Sequence, residues 1–259
     1  MDLKILREMP AALAGRWRRA GRRAGHLWPS ECVLCRAWPS PPLCDTCVAL
    51  YAAPQRRCLH CALPCPPDPG DEQACPQCRR HPPALDRCVA AVDYAWPWPD
   101  LIARLKFQGH TAWATPLSWL MLGSEGASEV LEDADWVLPT PLSPERLAER
   151  GYNQAALLAQ ALCHATSHPG LRLDGLIRGR HTAAQSGLSR AERMHNLQEA
   201  FLPNPLWANA LRSRHVLLVD DVCTTGATLE AATLALRQAG VRRVSALVLA
   251  RTGRSEPTN

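Results

Sequence analysis

The first 30 residues lack an apolar run longer than a few residues, and several arginines interrupt them. A secretory signal peptide contains an apolar segment of about 7 to 15 residues, and a transmembrane helix needs about 20. We therefore expect neither segment and predict a cytoplasmic protein. The chain of 259 residues, 47% of them hydrophobic, can bury a sizeable core in one large domain or two smaller ones.

The reducing cytoplasm argues against disulfide bonds for the twelve cysteines. Ten of them precede residue 89, and eight form four Cys-x-x-Cys pairs. Two thiolates in one tight turn can bind a metal ion, and two such turns complete a tetrahedral four-cysteine site. The pairs therefore predict two structural zinc ions, with the ligands Cys32 and Cys35, Cys44 and Cys47, Cys58 and Cys61, and Cys75 and Cys78.

The sequence does not determine how these turns pair. Sequential pairs are separated by eight residues (36–43) and thirteen residues (62–74), which are loop lengths typical of a zinc ribbon, but an alternating, cross-braced arrangement also fits. A redox Cys-x-x-Cys is the competing interpretation, although one motif at the start of a helix would suffice for it. The four cysteines outside the pairs are expected to be buried thiols: Cys65, Cys88, Cys163 and Cys223.

The composition of the chain changes near residue 88. Before that point, prolines are frequent from Pro64 to Pro69 and at Pro82 and Pro83, which suits neither helix interiors nor central strands. We therefore expect metal, rather than a hydrophobic core, to hold this part together. The predicted organisation is a basic arm (1–30), a double zinc ribbon (31–87) and an α/β domain (88–259).

The last of these domains is predicted to be a parallel sheet with helices on both faces, because short, fully apolar strands alternate with helices. The predicted strands are "CVAAVDYA", "DWVLPTP" (135–141), "HVLLV" and "VSALVLA". "PDLIARLKF" is predicted to be a helix capped by Asp100, "NQAALLAQALCHA" a helix after a polar loop, and a third helix should run from about Gly226 to Ala239.

The segment "VLLVDDVCTTGATLEAA" (216–232) ends a strand with two adjacent carboxylates and continues with small residues before a helix. Small residues let the backbone approach an anion closely, and the amides of the turn and of the helix N-terminus point at that anion. The carboxylates suit sugar hydroxyls or, through water, a divalent metal. Because such sheets bind ligands beyond the carboxyl ends of their strands, the segment predicts a site for a ribose 5-phosphate group.

Two further polar segments are expected near this site. Four donors follow the predicted strand 135–141 and should reach the crevice where a pyrophosphate would lie, although an exposed helix start is the alternative; they are Arg146, Arg150, Asn153 and Gln154. The run 180–201 suits a mobile loop that closes over a charged ligand, although a solvated loop would look the same. Its polar residues are Arg180, Thr182, Gln185, Arg190, Arg193 and Asn196. We assign no catalytic base, and interpret His181 and His195 as surface residues.

Residues 216–228 resemble the phosphoribosyl-pyrophosphate (PRPP) signature of type I phosphoribosyltransferases. On that resemblance, Asp220 and Asp221 bind the 2- and 3-hydroxyls of the ribose. The resemblance assigns the 5-phosphate to the loop residues Thr224, Thr225, Gly226, Ala227 and Thr228. It also implies Mg²⁺, which PRPP brings as its complex.

The segments "PTPLSPERLAERGYNQ" (139–154) and "RHTAAQSGLSRAERMHNLQEAF" (180–201) are similar to two marked segments of the ComF family. Members of that family join an N-terminal double zinc ribbon to a phosphoribosyltransferase-like domain and are associated with natural competence, the uptake and use of DNA. The similarity implies a PRPP ligand and, as possible partners, other DNA-uptake proteins.

Three classes of function are compatible with these features, because no base-reading motif is recognisable. The first is an enzyme that displaces pyrophosphate from PRPP. The second is a competence-type adaptor whose phosphoribosyl site binds a ligand without turnover. The third is a nucleic-acid-binding zinc ribbon to which the second domain is merely attached. We predict a ComF-like protein that belongs to the first or the second class.

The excess of positive charge is confined to the N-terminal part. Residues 1–88 carry 13 Lys and Arg against 8 Asp and Glu, whereas residues 89–259 carry 16 against 16. Lys4 and six arginines precede residue 24, and Trp17 and Trp28 offer faces for base stacking, so we hypothesise weak, salt-dependent binding of single-stranded DNA. An acidic membrane surface is an alternative partner for this basic arm. The arm could also be a solvated helix, or its charge could reflect a composition that is rich in arginine throughout, with 27 Arg against 2 Lys.

Overall fold

The computed structural model describes residues 30–65, 73–179 and 200–253. The helices are α1 Asp45–Tyr51, α2 Pro76–Arg80, α3 Trp98–Phe107, α4 Ala114–Gly123, α5 Ala127–Glu132, α6 Pro144–Arg150, α7 Gln154–Thr166, α8 Ala208–Leu211 and α9 Ala227–Gln238. The strands are β1 Arg87–Asp93, β2 Trp136–Pro139, β3 Leu176–Arg178, β4 Phe201–Pro203, β5 His215–Cys223 and β6 Arg243–Arg251. Among the helices in these ranges, none is both long and apolar enough to cross a membrane.

A parallel sheet organises the second part of the chain. Its strands lie in the order β1-β6-β5-β2, and each neighbouring pair is parallel. Strands β5 and β6 occupy the centre because both are buried along almost their whole length. The short pair β3 and β4 forms a separate antiparallel ribbon. The prediction of a parallel α/β sheet is confirmed.

Helices cover both faces of the sheet, as predicted. Successive residues of a strand point to opposite faces, and β5 follows this rule. Leu217 and Val219 join a core cluster that contains residues of α3, α4, α5 and α7. Val216 and Leu218 join a second cluster that is built mainly with α9. The long apolar strands are therefore explained by burial on two sides.

The cysteine-rich region packs directly against the sheet domain. Leu43 belongs to the same core cluster as Val89 of β1, so the first ribbon does not rely on metal alone. Further along, Arg57 pairs with Asp93 at 2.7 Å. Only the cluster around the second cysteine group consists of cysteines without other apolar residues. The hydrophobic core thus extends across residue 88, while the predicted domain boundary there remains a prediction.

Two local predictions were wrong. Asp100 does not cap its helix, because α3 begins at Trp98 with Pro97 as the N-cap. Asp100 lies in the first turn, where a carboxylate still favours the helix dipole. The expected polar loop after β2 contains helix α6, which begins after Ser143, whose side chain accepts a hydrogen bond from the amide of Arg146. In both cases a proline in the first turn sets the start of the helix.

Candidate functional site

The eight paired cysteines form two compact groups. The ligand atoms of each group lie within 4.8 Å of one another, and the groups consist of Cys32, Cys35, Cys44 and Cys47, and of Cys58, Cys61, Cys75 and Cys78. The sequential arrangement is therefore correct and the cross-braced alternative is wrong. The recorded sulfur–sulfur distances are 3.6 to 3.8 Å, close to the edge of about 3.8 Å expected for a tetrahedron with Zn–S bonds of about 2.3 Å. Both groups therefore fit structural zinc.

In each group a backbone amide points at a cysteine sulfur and favours its thiolate, which is the form that binds zinc. The amide of Cys44 points to the sulfur of Cys32 at 3.4 Å, and the amide of Cys75 points to the sulfur of Cys58 at 3.2 Å. A hydrogen bond from the Cys61 side chain, aided by nearby backbone amides that include that of Cys75, lowers the pKa of Cys58 to about 4 against the opposing effect of burial. Cys44 and Cys75 also stand at helix starts, as a redox pair would, but each belongs to a group of four thiols. This grouping favours metal binding over redox chemistry.

The acidic pair and the small-residue turn lie at the carboxyl end of the central strand β5. Asp220 and Asp221 are within the strand and are buried, with 8% and 3% of their surfaces exposed. The turn that follows leaves Thr224 and Thr225 exposed and reaches Gly226, whose φ of +86° starts helix α9. The amide of the first helical residue donates to the hydroxyl of Thr225, at 3.3 Å. Two buried carboxylates thus lie beside a helix N-terminus that is accessible to solvent.

Lys106 occupies the space in front of these carboxylates. It comes from the last turn of α3, and its Nζ lies 2.7 Å from Oδ2 of Asp221. Burial lowers the pKa of Lys106 to about 8, although the charge of Asp220 opposes this effect. Burial also raises the pKa of Asp220 to about 6, against the opposing effects of a hydrogen bond with Thr140 and the positive charges of Lys106 and Arg178. A cationic cluster therefore surrounds a buried acidic pair.

The sequence predicted none of the contacts of Lys106, Thr140 or Arg178. They come from α3, from the loop after β2 and from β3, so only the packing of the sheet brings them to the acidic pair. One signal for Lys106 was available: it is one of only two lysines, in a chain that otherwise uses arginine for positive charge. A lysine differs from an arginine in carrying a compact ammonium on a flexible stem.

The four predicted pyrophosphate donors divide into two pairs. Asn153 caps α7 through its Oδ1 and donates its Nδ2 to the carbonyl of Thr140 at 2.9 Å. Gln154 is buried and accepts a hydrogen bond from Arg150. Arg146 is exposed on α6, and Arg150 is partly exposed. The two amide side chains therefore form hydrogen bonds within the fold, whereas the two arginines are available to a ligand.

The guanidinium of Arg150 lies 5.0 Å from the ring centre of Phe107, the residue after Lys106. This contact brings the end of α6 to the end of α3, beside the acidic pair. Two predicted segments lie outside the described residues. They are the basic arm up to residue 29 and the predicted closing loop 180–199, which includes Arg180, Gln185 and Arg193.

The chain is similar to several known proteins. Residues 147–258 match the phosphoribosyl transferase domain family. The chain is 34% identical over 232 residues to "DNA utilization protein YhgH" of Escherichia coli (strain K12), an alignment that covers 86% of this chain and 98% of the relative. It is 36% identical over 183 residues to "Competence protein F" of Haemophilus influenzae, covering 69% of this chain and 79% of the relative.

A third relative, "Competence protein ComFC" of Bacillus subtilis, is 38% identical over 155 residues, or 59% of each chain. The two cysteine groups precede the matched domain, which is the order of parts that the ComF resemblance implied. The chain therefore belongs to the ComF family, with a cysteine-rich ribbon region followed by a phosphoribosyltransferase domain.

Proposed function

We propose that this protein binds the magnesium complex of PRPP at the turn between β5 and α9, and that this binding serves DNA uptake or the use of DNA. The observation that carries the proposal is the buried pair Asp220 and Asp221 immediately before a solvent-accessible helix N-terminus at Gly226. Carboxylates accept hydrogen bonds from hydroxyls, and a helix N-terminus attracts a phosphate. A ribose 5-phosphate group offers both kinds of partner.

The role of each part follows from its position. The acidic pair is proposed to accept the 2- and 3-hydroxyls, and Arg146 and Arg150, whose charges act on the neighbouring Lys106, are proposed to face the pyrophosphate. The 5-phosphate is held by the turn and the first helical residues, Thr224, Thr225, Gly226, Ala227 and Thr228. Mg²⁺ prefers oxygen ligands and often enters proteins with substrate phosphates, so the carboxylates and the ligand suit it without a dedicated cage.

Displacement of pyrophosphate from PRPP by an acceptor is the reaction that this site supports best. The charge that develops on the leaving group would be dispersed over Arg146, Arg150 and the magnesium ion. A pyrophosphate-release assay with a panel of nucleobases and DNA tests this activity. Release that depends on an acceptor and disappears in Asp221→Ala would indicate a transferase, whereas PRPP binding without release would indicate an adaptor.

The biological role is proposed from the relatives, which are named for competence and for DNA utilization. All twelve cysteines are free in the structure, which fits a reducing compartment such as the cytoplasm. The two four-cysteine groups would hold zinc as a structural element of the ribbons. Contact with other DNA-uptake proteins is part of the same proposal.

Binding of single-stranded DNA is a second candidate function, favoured by exposed tryptophans. Trp38, next to the first cysteine group, is 65% exposed, and Trp96, after β1, is 66% exposed. Exposed aromatic rings provide faces on which unpaired bases stack at about 1 to 3 kcal/mol each. Trp96 is held in place by an edge contact with Tyr51, at 5.0 Å between ring centres. Such binding should be steeply salt-dependent.

Fluorescence anisotropy with a labelled oligonucleotide tests this second function at low and moderate salt. The proteins to compare are the full chain, a variant that begins at Pro29 and the double variant Trp38→Ala, Trp96→Ala. Loss of binding in the shortened chain would assign the contact to the arm, and loss in the double variant would assign it to the tryptophans. Undiminished binding by both would contradict both assignments.

A further inference from the structure

Lys106 is the one described side chain whose charged atom directly contacts the proposed ribose-binding carboxylates. Its side chain is 20% exposed, and that of Asp221 is 4% exposed. A carboxylate buried to this degree is costly without a counter-charge, and the ammonium supplies that charge in the free protein. The ion pair therefore explains how two adjacent acids remain buried together in the absence of a ligand.

The same contact competes with the ligand. Oδ2 of Asp221, the oxygen that Lys106 contacts, is buried, so a ribose hydroxyl reaches it only if the ammonium moves. A lysine can make that move because its head is compact and its stem has four rotatable bonds. Arg146 and Arg150 add positive charge close to the ammonium, so a polyanion that enters beside them would attract all three groups.

We propose that Lys106 recognises the pyrophosphate of the ligand: it neutralises Asp221 in the free protein and transfers to the pyrophosphate when the ribose hydroxyls take its place. This inference rests on the proposed function and adds a specificity to it. A ligand with a pyrophosphate at C1 provides the ammonium with a new partner, whereas ribose 5-phosphate displaces it without one. The site therefore selects PRPP over ribose 5-phosphate.

Isothermal titration calorimetry with three probes tests the inference: PRPP, ribose 5-phosphate and inorganic pyrophosphate, each with Mg²⁺. Lys106→Met removes the charge and keeps the length of the stem. We expect it to weaken the binding of PRPP and of pyrophosphate by about 10- to 100-fold, the usual loss for a charge-assisted hydrogen bond, and to leave ribose 5-phosphate unchanged or tighter. Arg104→Met, on the same helix, is the matched control and should bind all three probes as the wild type does.

Several outcomes would overturn the inference. Equal losses for PRPP and ribose 5-phosphate would mean that Lys106 only maintains the structure of the site. An unchanged affinity for PRPP would remove Lys106 from recognition while leaving the proposed function intact. A wild-type protein that binds neither sugar phosphate would contradict the proposed function and this inference together. If the Met variant does not fold, the same titrations can be made with Lys106→Gln, which removes the charge but keeps a hydrogen-bond donor.

Discussion

The guanidinium of Arg251 donates its Nε to the carbonyl of Cys61 at 2.7 Å. Cys61 belongs to the second cysteine group, and Arg251 is the last residue of β6, buried to 95% of its surface. The same guanidinium uses Nη1 to bind the carbonyl of Cys223 at 3.0 Å and that of Thr224. One side chain thus joins the second metal-binding group to the start of the proposed phosphate-binding turn.

Arg251→Met should therefore weaken both the fold and the turn, because it removes the buried donor that links the carbonyls of Cys61, Cys223 and Thr224. We expect a loss of about 1 to 3 kcal/mol in the free energy of unfolding and a weaker affinity for PRPP. Urea denaturation and calorimetry measure the two effects. Arg243→Met, an exposed position on the same strand, is the control and should change neither quantity. Normal PRPP affinity in Arg251→Met would show that the turn does not depend on this link.

Elemental analysis of protein purified without chelators should give two zinc ions per chain. Each site contributes on the order of 10 kcal/mol to local folding in proteins of this kind. Cys61→Ser should lower the zinc content by one and also weaken PRPP binding through Arg251. Cys35→Ser, in the first group, should lower the zinc content equally but affect PRPP binding less. A protein without zinc, or equal effects of both variants on PRPP, would contradict this prediction.

Stability should depend on pH through Asp220, because burial raises its pKa to about 6. A carboxyl whose pKa is raised in the fold is more easily protonated there than in the unfolded chain, so it adds stability as the pH falls from above 6 towards 4. Asp220→Asn removes the cost of the buried charge. The variant should be more stable than the wild type at pH 8, by about 2 to 3 kcal/mol at most, and this gap should fall to about half near pH 5 and close only below about pH 4. Denaturation curves at pH 5, 6, 7 and 8 measure the gap, and a gap that is constant with pH would contradict the assignment.

Gly226→Ala should harm the turn through its backbone conformation. The φ of +86° is unfavourable for any residue with a Cβ, whereas space is not limiting, because the nearest atom to an added Cβ is the sulfur of Cys223 at 3.9 Å. We expect a loss of stability of about 1 to 2 kcal/mol together with a loss of PRPP affinity. Gly240→Ala, at a φ of +88° beyond the other end of α9, is the control. It should lose similar stability and keep its affinity, and equal affinity losses in both variants would refute a specific role for the turn.

Much of the fold was predictable because it depends on local pattern. The apolar runs of β5 and β6 required burial on both faces, and the spacing of the cysteine pairs required two compact groups. The acidic pair and the turn are continuous in sequence, so their position at the end of β5 could also be predicted. Nothing local reveals that α3 carries Lys106 to that place, or that β3 carries Arg178 there, since both contacts arise only from the packing of the sheet.

The errors have the same physical origin. Asp100 is a good capping residue, but two nearby prolines fixed the start of α3 earlier. The region before residue 88 has too few apolar residues for its own core, yet Leu43 is buried because the sheet domain provides the other side of the contact. Burial of this kind depends on a surface that is distant in sequence, and pattern alone does not show it.

The central claim is that the acidic pair binds the ribose of PRPP, and calorimetric titration of the zinc-loaded protein with PRPP and Mg²⁺ tests it most directly. The wild type should bind one PRPP per chain. Asp221→Ala should lose about 1.5 to 3 kcal/mol of binding free energy, or about 10- to 150-fold in affinity, because a charged acceptor of a ribose hydroxyl is removed. An absence of binding by the wild type, or an unchanged affinity in Asp221→Ala, would contradict the account.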